Sequence, residues 1–351
     1  MEDLMDKLRA FLKRKDIEIS AKRYGIDALG AMAQGLFCSL LIGTIINTLG
    51  QQLHIDYLTT IGGYASQMAG PAMACAIGYA LKAPPMVLFS LIAVGSAANG
   101  LGGAGGPLAV LIIAIIAAEC GKAVSKETKV DLLVTPAVTI FVGVALSSLL
   151  APAIGTAASW FGQLIMLATE LRPFLMGILV SVLVGMALTL PISSAAICAA
   201  LGLTGLAGGA AVAGCSAQMI GFAVMSFKEN SWGGLVSQGL GTSMLQMGNI
   251  VRNPKIWIAP TLAAAITGPI ATCIFKLQMN GSPISSGMGT CGLVGQIGVY
   301  TGWLNSGTEI TVLHWLGLIL ICFILPAVLS YIFCEIERKL GWIKEGDLTL
   351  E

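Results

Sequence analysis

Residues 313–333, LHWLGLILICFILPAVLSYIF, pass without an aspartate, glutamate, lysine or arginine. Similar uncharged apolar runs lie at 35–49, 57–81, 107–118, 132–154, 173–190 and 256–275. About 20 apolar residues in a helix span the ~30 Å hydrocarbon core of a bilayer. In that medium every backbone N–H and C=O must be satisfied within the protein, which leaves helices or closed barrels. These runs are too long and too unbroken for the alternating pattern of a barrel. Hydrophobic residues make up 56% of the chain and charged residues 11%, more apolar surface than a soluble domain can hide. The expected fold class is therefore an all-α polytopic membrane protein.

Lysine and arginine collect in cytoplasmic loops. Basic residues between Lys13 and Arg23, at Lys82, at Lys122, Lys126 and Lys129, at Arg252 and Lys255, and at Arg338 and Lys339 mark one side. The segments QQLHID and NGLGGAGGP, which carry no basic residue, mark the other. The resulting topology has about ten transmembrane helices with both termini cytoplasmic, in the cell's inner (plasma) membrane. Residues 157–170 read as a less apolar stretch along the interface, ending at Glu170, and 232–250 as a polar span facing a cavity. Residues 1–20 place Met1, Leu4, Met5, Leu8, Phe11 and Leu12 on one helical face and basic residues on the rest. That pattern suits an amphipathic helix on the membrane surface or a solvated helix packed on its own protein.

The tetrapeptide Pro-Ile-Ser-Ser occurs at Pro191–Ser194 and again at Pro283–Ser286. A repeat this short is within chance, so its context decides. Each copy opens a glycine-rich, weakly apolar stretch, 191–209 and 281–303, in the later half of the chain. Both are expected to be re-entrant hairpins, entering from opposite faces. Non-helical backbone at membrane depth is tolerated where it is buried in protein or lines a cavity. Paired interrupted segments point to a transporter's substrate site. Proline ends a span, and the serines after it can cap a new helix whose free N–H groups face a ligand. Ser193, Ser194, Ser285, Ser286, Gly287, Gly289 and Thr290 are the candidate substrate-binding residues, with Asn253 and Gln296 beside them. The same small residues also permit close helix packing, and each Asn or Gln can equally bond one helix to another.

Other chemistry is sparse. Net charge is +1, which gives no electrostatic footprint for nucleic acid. His54 and His314 are the only histidines and no CxxC occurs, so neither a catalytic triad nor a metal centre is expected, and no cofactor. The nine cysteines read as small packing residues. Asp27, Glu119, Lys122, Glu170, Arg172, Glu309 and His314 fall near span ends, leaving no obvious buried acid or base for a proton relay. The string GLGGAGG follows no strand and opens no βαβ unit, so it is not a nucleotide site.

GMGTCGLVGQIG at 287–298, NPKIWIAPTLAAAITGPIAT at 253–272 and LPISSAAI at 190–197 resemble the phosphotransferase-system EIIC-like membrane proteins. The likeness is to the branch named after a clostridial toxin (perfringolysin) regulator. The resemblance covers about 22–333 and implies a transporter-like fold with two re-entrant hairpins, usually a homodimer. It also implies a sugar-like small polar solute and a separate cytoplasmic EIIB-type partner that phosphorylates it. The chain itself would be at most the membrane component of such a system. This sequence differs from sugar-type relatives in carrying no EIIA or EIIB domain, no histidine in the first hairpin and no glutamate in the second. Cys291 stands where a serine is expected.

The organisation that follows is a surface helix (1–20), a scaffold and dimerisation half (21–156), a transport half (157–303), a last span (304–335) and a cytoplasmic tail (336–351). An elevator-type alternating-access transporter is the leading expectation. A sensor or regulator that kept the fold without transport, and a sodium-coupled carrier, remain open.

Overall fold

The computed structural model describes residues 2–169 and 171–350. Met1, Glu170 and Glu351 lie outside the described residues, as do the side chains of Leu4, Met5 and Leu8 on which the apolar face of the first helix was expected. In chain order the helices are α1 (Glu2–Arg14), α2 (Ala28–Leu36), α3 (Ile42–Leu53), α4 (Asp56–Gln67), α5 (Ala69–Ala80), α6 (Pro85–Gly102), α7 (Gly106–Val124), α8 (Asp131–Thr169) and α9 (Pro173–Thr189). Then come α10 (Ser194–Ala200), α11 (Gly205–Met225), α12 (Phe227–Val236), α13 (Met247–Arg252), α14 (Ile258–Pro269), α15 (Pro283–Ser286), α16 (Val294–Asn305), α17 (Val312–Ile319) and α18 (Leu325–Lys339). Among the described residues there is no β-strand. One isolated bridge pairs Gly205 with Met279.

Among the described residues, six helical stretches are long and apolar enough to cross a membrane: Arg23–Leu53, Pro85–Val124, Asp131–Thr169, Gly205–Met225, Pro254–Ile274 and Val312–Lys339, with Pro173–Thr189 shorter but apolar. Pro85–Val124 comprises α6 and α7, joined through Gly103–Gly105. Residues 57–81, read as one span, are two 12-residue helices that break at Met68. By contrast α8 continues unbroken through 157–169, where a separate interfacial stretch was expected. Residues 157–169 contain no proline and one glycine, so nothing local stops the helix. At 39 residues it is about 58 Å long and overruns the hydrocarbon core.

The chain divides into two compact units, residues 1–40 with 65–156, and residues 41–64 with 157–351. In the first, α5 and α6 pack backbone to backbone. A Cβ on Gly70 would come within 2.3 Å of the Gly95 carbonyl oxygen, and one on Gly95 within 2.2 Å of that of Gly70. Small residues of this kind are what lets helices approach closely where no hydrophobic force separates protein from solvent. The C-terminal carbonyl of α5, at Leu81, accepts from Arg23 Nη2 (2.9 Å) and from the buried Lys122 Nζ (3.0 Å). Two cations thus answer the negative end of that helix.

In the second unit α9, α11, α14 and α18 pack together. Nearly all of α11 is buried, and its run of Gly and Ala makes that possible. Ser181 Oγ donates to the Ala264 carbonyl (2.7 Å), tying α9 to α14. Phe222, Met225, Ile250, Ile256, Ala259 and Cys334 form one apolar cluster, which Ile343 and Leu348 from beyond α18 complete.

Candidate functional site

The two Pro-Ile-Ser-Ser copies fold differently and meet. In the first, Ser193 caps α10: the Ala196 N–H donates to its Oγ (3.2 Å), as expected of a serine ahead of a short helix. In the second, the four residues are themselves the single turn of α15, where proline fits the first helical position. Ser286 Oγ donates back to the Pro283 carbonyl (2.6 Å). Ser194 Oγ donates across to the Gly287 carbonyl (2.7 Å), and both serines are buried.

Two glycines make this approach possible. A Cβ on Gly287 would sit 2.6 Å from the Ser194 carbonyl oxygen. Gly289 has φ +53 and its Cβ would meet Cys215 on α11 at 2.6 Å. Any other residue would clash and, at Gly289, would also strain the backbone. Beyond it, Thr290 Oγ1 donates to the Gly239 carbonyl (2.5 Å), which lies in the wide helical turn Ser237–Gly241. Gln296, on α16, donates from Nε2 to Ser216 Oγ of α11 (3.3 Å). Its Oε1 is buried and, among the described residues, has no hydrogen-bond partner.

Ser193, Ser194, Ser285, Ser286, Gly287, Gly289, Thr290 and Gln296 therefore lie on α10, α15 and α16 and the turns joining them, packed against α11. Asn253 is not bonded to that group. Its Nδ2 donates to the Trp342 carbonyl and to Asp347 Oδ2 (both 2.9 Å), and its Oδ1 accepts from the Lys255 N–H (3.3 Å).

The polar stretch 232–250 is not one helix. It breaks into α12, a wide turn, a short 3-10 turn and α13. Its amides bond to each other and to the chain's end. Gln246 Nε2 donates to Gln238 Oε1 and to the Leu348 carbonyl (both 2.9 Å), and Asn249 Nδ2 to Gln246 Oε1 (2.8 Å) and the Thr349 carbonyl (2.9 Å). Gln218 is equally committed: Oε1 accepts from Trp257 Nε1 (2.9 Å) and Nε2 donates to Thr261 Oγ1 (3.2 Å). Buried amides bonded this fully act as struts. His314 is a helix cap, its Nδ1 accepting from the Thr311 N–H (3.2 Å) while its ring meets Trp303 at 5.2 Å.

Sequence reasoning missed Gly239, Cys215 and Ser216, which complete the shell. The only signal they carried was their presence in stretches rich in small residues.

A family model described as Phosphotransferase system, EIIC matches residues 26–350. No curated protein and no solved structure matches the chain. The matched range takes in the first unit from residue 26, the second to residue 350, every long apolar helix but the first few residues of one, and the residues around Ser194 and Gly287. With its repeated apolar helices, the chain is a multi-pass membrane protein of transport type that belongs to the phosphotransferase-system EIIC family.

Proposed function

We propose that this protein binds a small, neutral, hydroxylated solute of sugar type at the shell formed by Ser193, Ser194, Ser285, Ser286, Gly287, Gly289, Thr290 and Gln296, and carries it across the membrane by an elevator-type movement. Asn253 stands outside the proposed set because its amide is committed to residues 342 and 347. The observation that carries the reading is Gln296 Oε1, buried without a donor beside two interrupted segments that meet at Ser194 and Gly287. Buried polar atoms are rarely left unpaired without a functional reason. A solute hydroxyl is a donor of the right kind.

The proposal includes the finer architecture. About ten crossings with re-entrant segments at 191–209 and 281–303 put both termini in the cytoplasm of a plasma membrane. Residues 21–156 serve as a scaffold through which two copies pair, residues 157–303 move, 304–335 form the last span and 336–351 a cytoplasmic tail. A separate EIIB-type protein phosphorylates the solute, and the likeness at 190–197, 253–272 and 287–298 together supports the perfringolysin-regulator branch.

The test is uptake of a panel of labelled sugars and polyols by proteoliposomes, with and without an EIIB-type protein and its phosphate donor. Uptake that falls in Gln296→Met supports the reading. Binding without uptake under every condition favours a sensor, and uptake that needs a sodium gradient favours an ion-coupled carrier.

A further inference from the structure

The first unit contains a cavity of about 330 Å3 whose lining includes Arg14, Lys15, Lys82, Lys122 and Lys126, with Glu127 as the one carboxylate. Five cations against one anion line it, and with Glu119, which pairs with Lys122, and Asp131, whose Oδ1 accepts from the Lys126 backbone N–H at 2.6 Å, the local formal surplus is 5 − 3 = +2. Three of the cations are partly answered. Glu127 Oε1 meets Arg14 Nη2 at 2.8 Å and Lys15 Nζ at 2.5 Å. Lys122 Nζ pairs with Glu119 Oε2 at 3.0 Å and donates to the Asp16 carbonyl at 2.6 Å. Among the described residues Lys82 and Lys126 have no ion-pair partner. Both sit at positive φ, +55 and +60, a backbone region that lysine enters at a cost.

Cations converging without enough anions are a site for an anion. The surroundings narrow its kind. Tyr79, Phe89, Val130, Leu132 and Leu133, within a few residues of the cavity lining in sequence, are all largely exposed apolar side chains. Exposed apolar side chains this near in sequence offer acyl chains a surface that a free, hydrated anion would not use. The geometry points to a headgroup site: this cavity takes the phosphate of an anionic phospholipid, with Lys82 and Lys126 as the cations that contact it and Arg14 bringing the end of α1 to the same group. Basic pockets at the ends of membrane helices bind anionic headgroups in this way. The site would fasten α1, which lies before the family match begins, to the ends of α5 and α7 through a lipid. Free phosphate shares the chemistry, and the experiment separates the two.

Full-length protein is delipidated in neutral detergent and titrated with phosphatidylglycerol, with phosphatidylcholine, and with inorganic phosphate, and bound lipid is counted by native mass spectrometry. The unaltered protein should retain phosphatidylglycerol and not phosphatidylcholine, and inorganic phosphate at matched concentration should not displace it. A Lys82→Gln, Lys126→Gln double variant changes two exposed, unpaired side chains. It should fold as the parent does and bind phosphatidylglycerol about thirtyfold more weakly, the fold-change expected from losing two surface cations. A Lys339→Gln, Lys344→Gln control makes the same change in charge on two exposed side chains of the second unit, outside the lining, and should bind as the parent does. Equal losses in the two double variants would reduce the effect to bulk charge and overturn the site. Displacement by inorganic phosphate alone would overturn the lipid assignment.

Discussion

Ser194 Oγ donates a 2.7 Å hydrogen bond to the carbonyl oxygen of Gly287, joining one copy of the tetrapeptide to the residue that follows the other, across 93 residues of chain. Ser194→Ala removes a net contribution of about 1 kcal/mol and leaves that carbonyl unpaired. Gly287→Ala is the harsher change, because the added methyl meets backbone atoms of Ser194 and Ala195 at 2.6–2.9 Å and backbone cannot move aside as a side chain can. Overpacking of this kind costs about 1–3 kcal/mol. Thermal unfolding in detergent should therefore rank the parent above Ser194→Ala and Ser194→Ala above Gly287→Ala. The reverse order would mean that the two segments do not touch in the folded protein.

Gln296 separates function from stability. Its Nε2 donates a 3.3 Å bond to Ser216, and among the described residues its Oε1 has no hydrogen-bond partner. Replacing it with methionine, of similar shape, removes an unpaired buried acceptor at the loss of one long hydrogen bond. Stability should stay within about 1 kcal/mol of the parent or rise. Solute affinity should fall up to about tenfold through the lost hydrogen bond. Isothermal titration beside a melting curve reads both. A variant that unfolds early, with unchanged affinity in the folded fraction, would make Gln296 a structural strut.

The apolar runs were legible because the bilayer leaves so few alternatives. Six long apolar helices follow from them, and so does the family that the motifs at 190–197, 253–272 and 287–298 suggested. Helix breaks were less legible. The lower apolarity of 157–169 suggested a separate stretch although the sequence there carries no helix stop, and Met68 gives no warning of a break between α4 and α5. The polar amides of the second unit carried no sign of their partners. Gln218, Gln238, Gln246 and Asn249 prove to be bonded to partners up to 102 residues away. A single sequence cannot show such pairings, because an amide that holds a helix and an amide that holds a solute have the same composition. The basic residues at 82, 122 and 126 were read for sidedness alone, and their convergence on one cavity is a property of the fold.

Asp16 gives the surface end of the first unit a pH dependence. A bidentate contact from Arg23, at 3.2 and 2.7 Å, holds the Asp16 carboxyl below its usual pKa, the hydrogen bond counting most. A folded-state pKa below the unfolded one means stability that is fully present above the ordinary carboxylate value, about 3.9, and is lost as pH falls through the lowered one. The fastening should therefore be intact from neutral pH down to about 4 and weaken in stronger acid. Because Asp16 is half exposed, the effect is a screened one. Unfolding midpoints of the parent and Asp16→Asn should differ at neutral pH and converge as the pH falls below that window. A difference that stays constant with pH would sever Arg23 from the effect.

The segment after α18 supplies the most exacting test of the second unit. Leu348 is fully buried against the cluster of Phe222, Met225 and Ile256. Its carbonyl accepts from Gln246 Nε2 (2.9 Å) and Asn230 Nδ2 (2.8 Å), and the Leu350 N–H donates to Asn230 Oδ1 (2.8 Å). Apolar burial and amide bonds therefore both hold Leu348, and an amide bond also holds Leu350. Leu348→Ala should lower stability by about 2–5 kcal/mol, as for a leucine truncated in a packed core. Asn230→Ala removes both side-chain bonds at about 1 kcal/mol each and leaves the apolar contact in place. Glu345→Ala, on an exposed side chain of the same segment, should do nothing measurable. Limited proteolysis reads the outcome directly: cleavage beyond Lys339 should be slow in the parent and in Glu345→Ala, faster in Asn230→Ala and fastest in Leu348→Ala. Rapid cleavage of the parent would show that the chain's end is not seated in this groove in the membrane-embedded protein, and the amides of 230–249 would then need another partner.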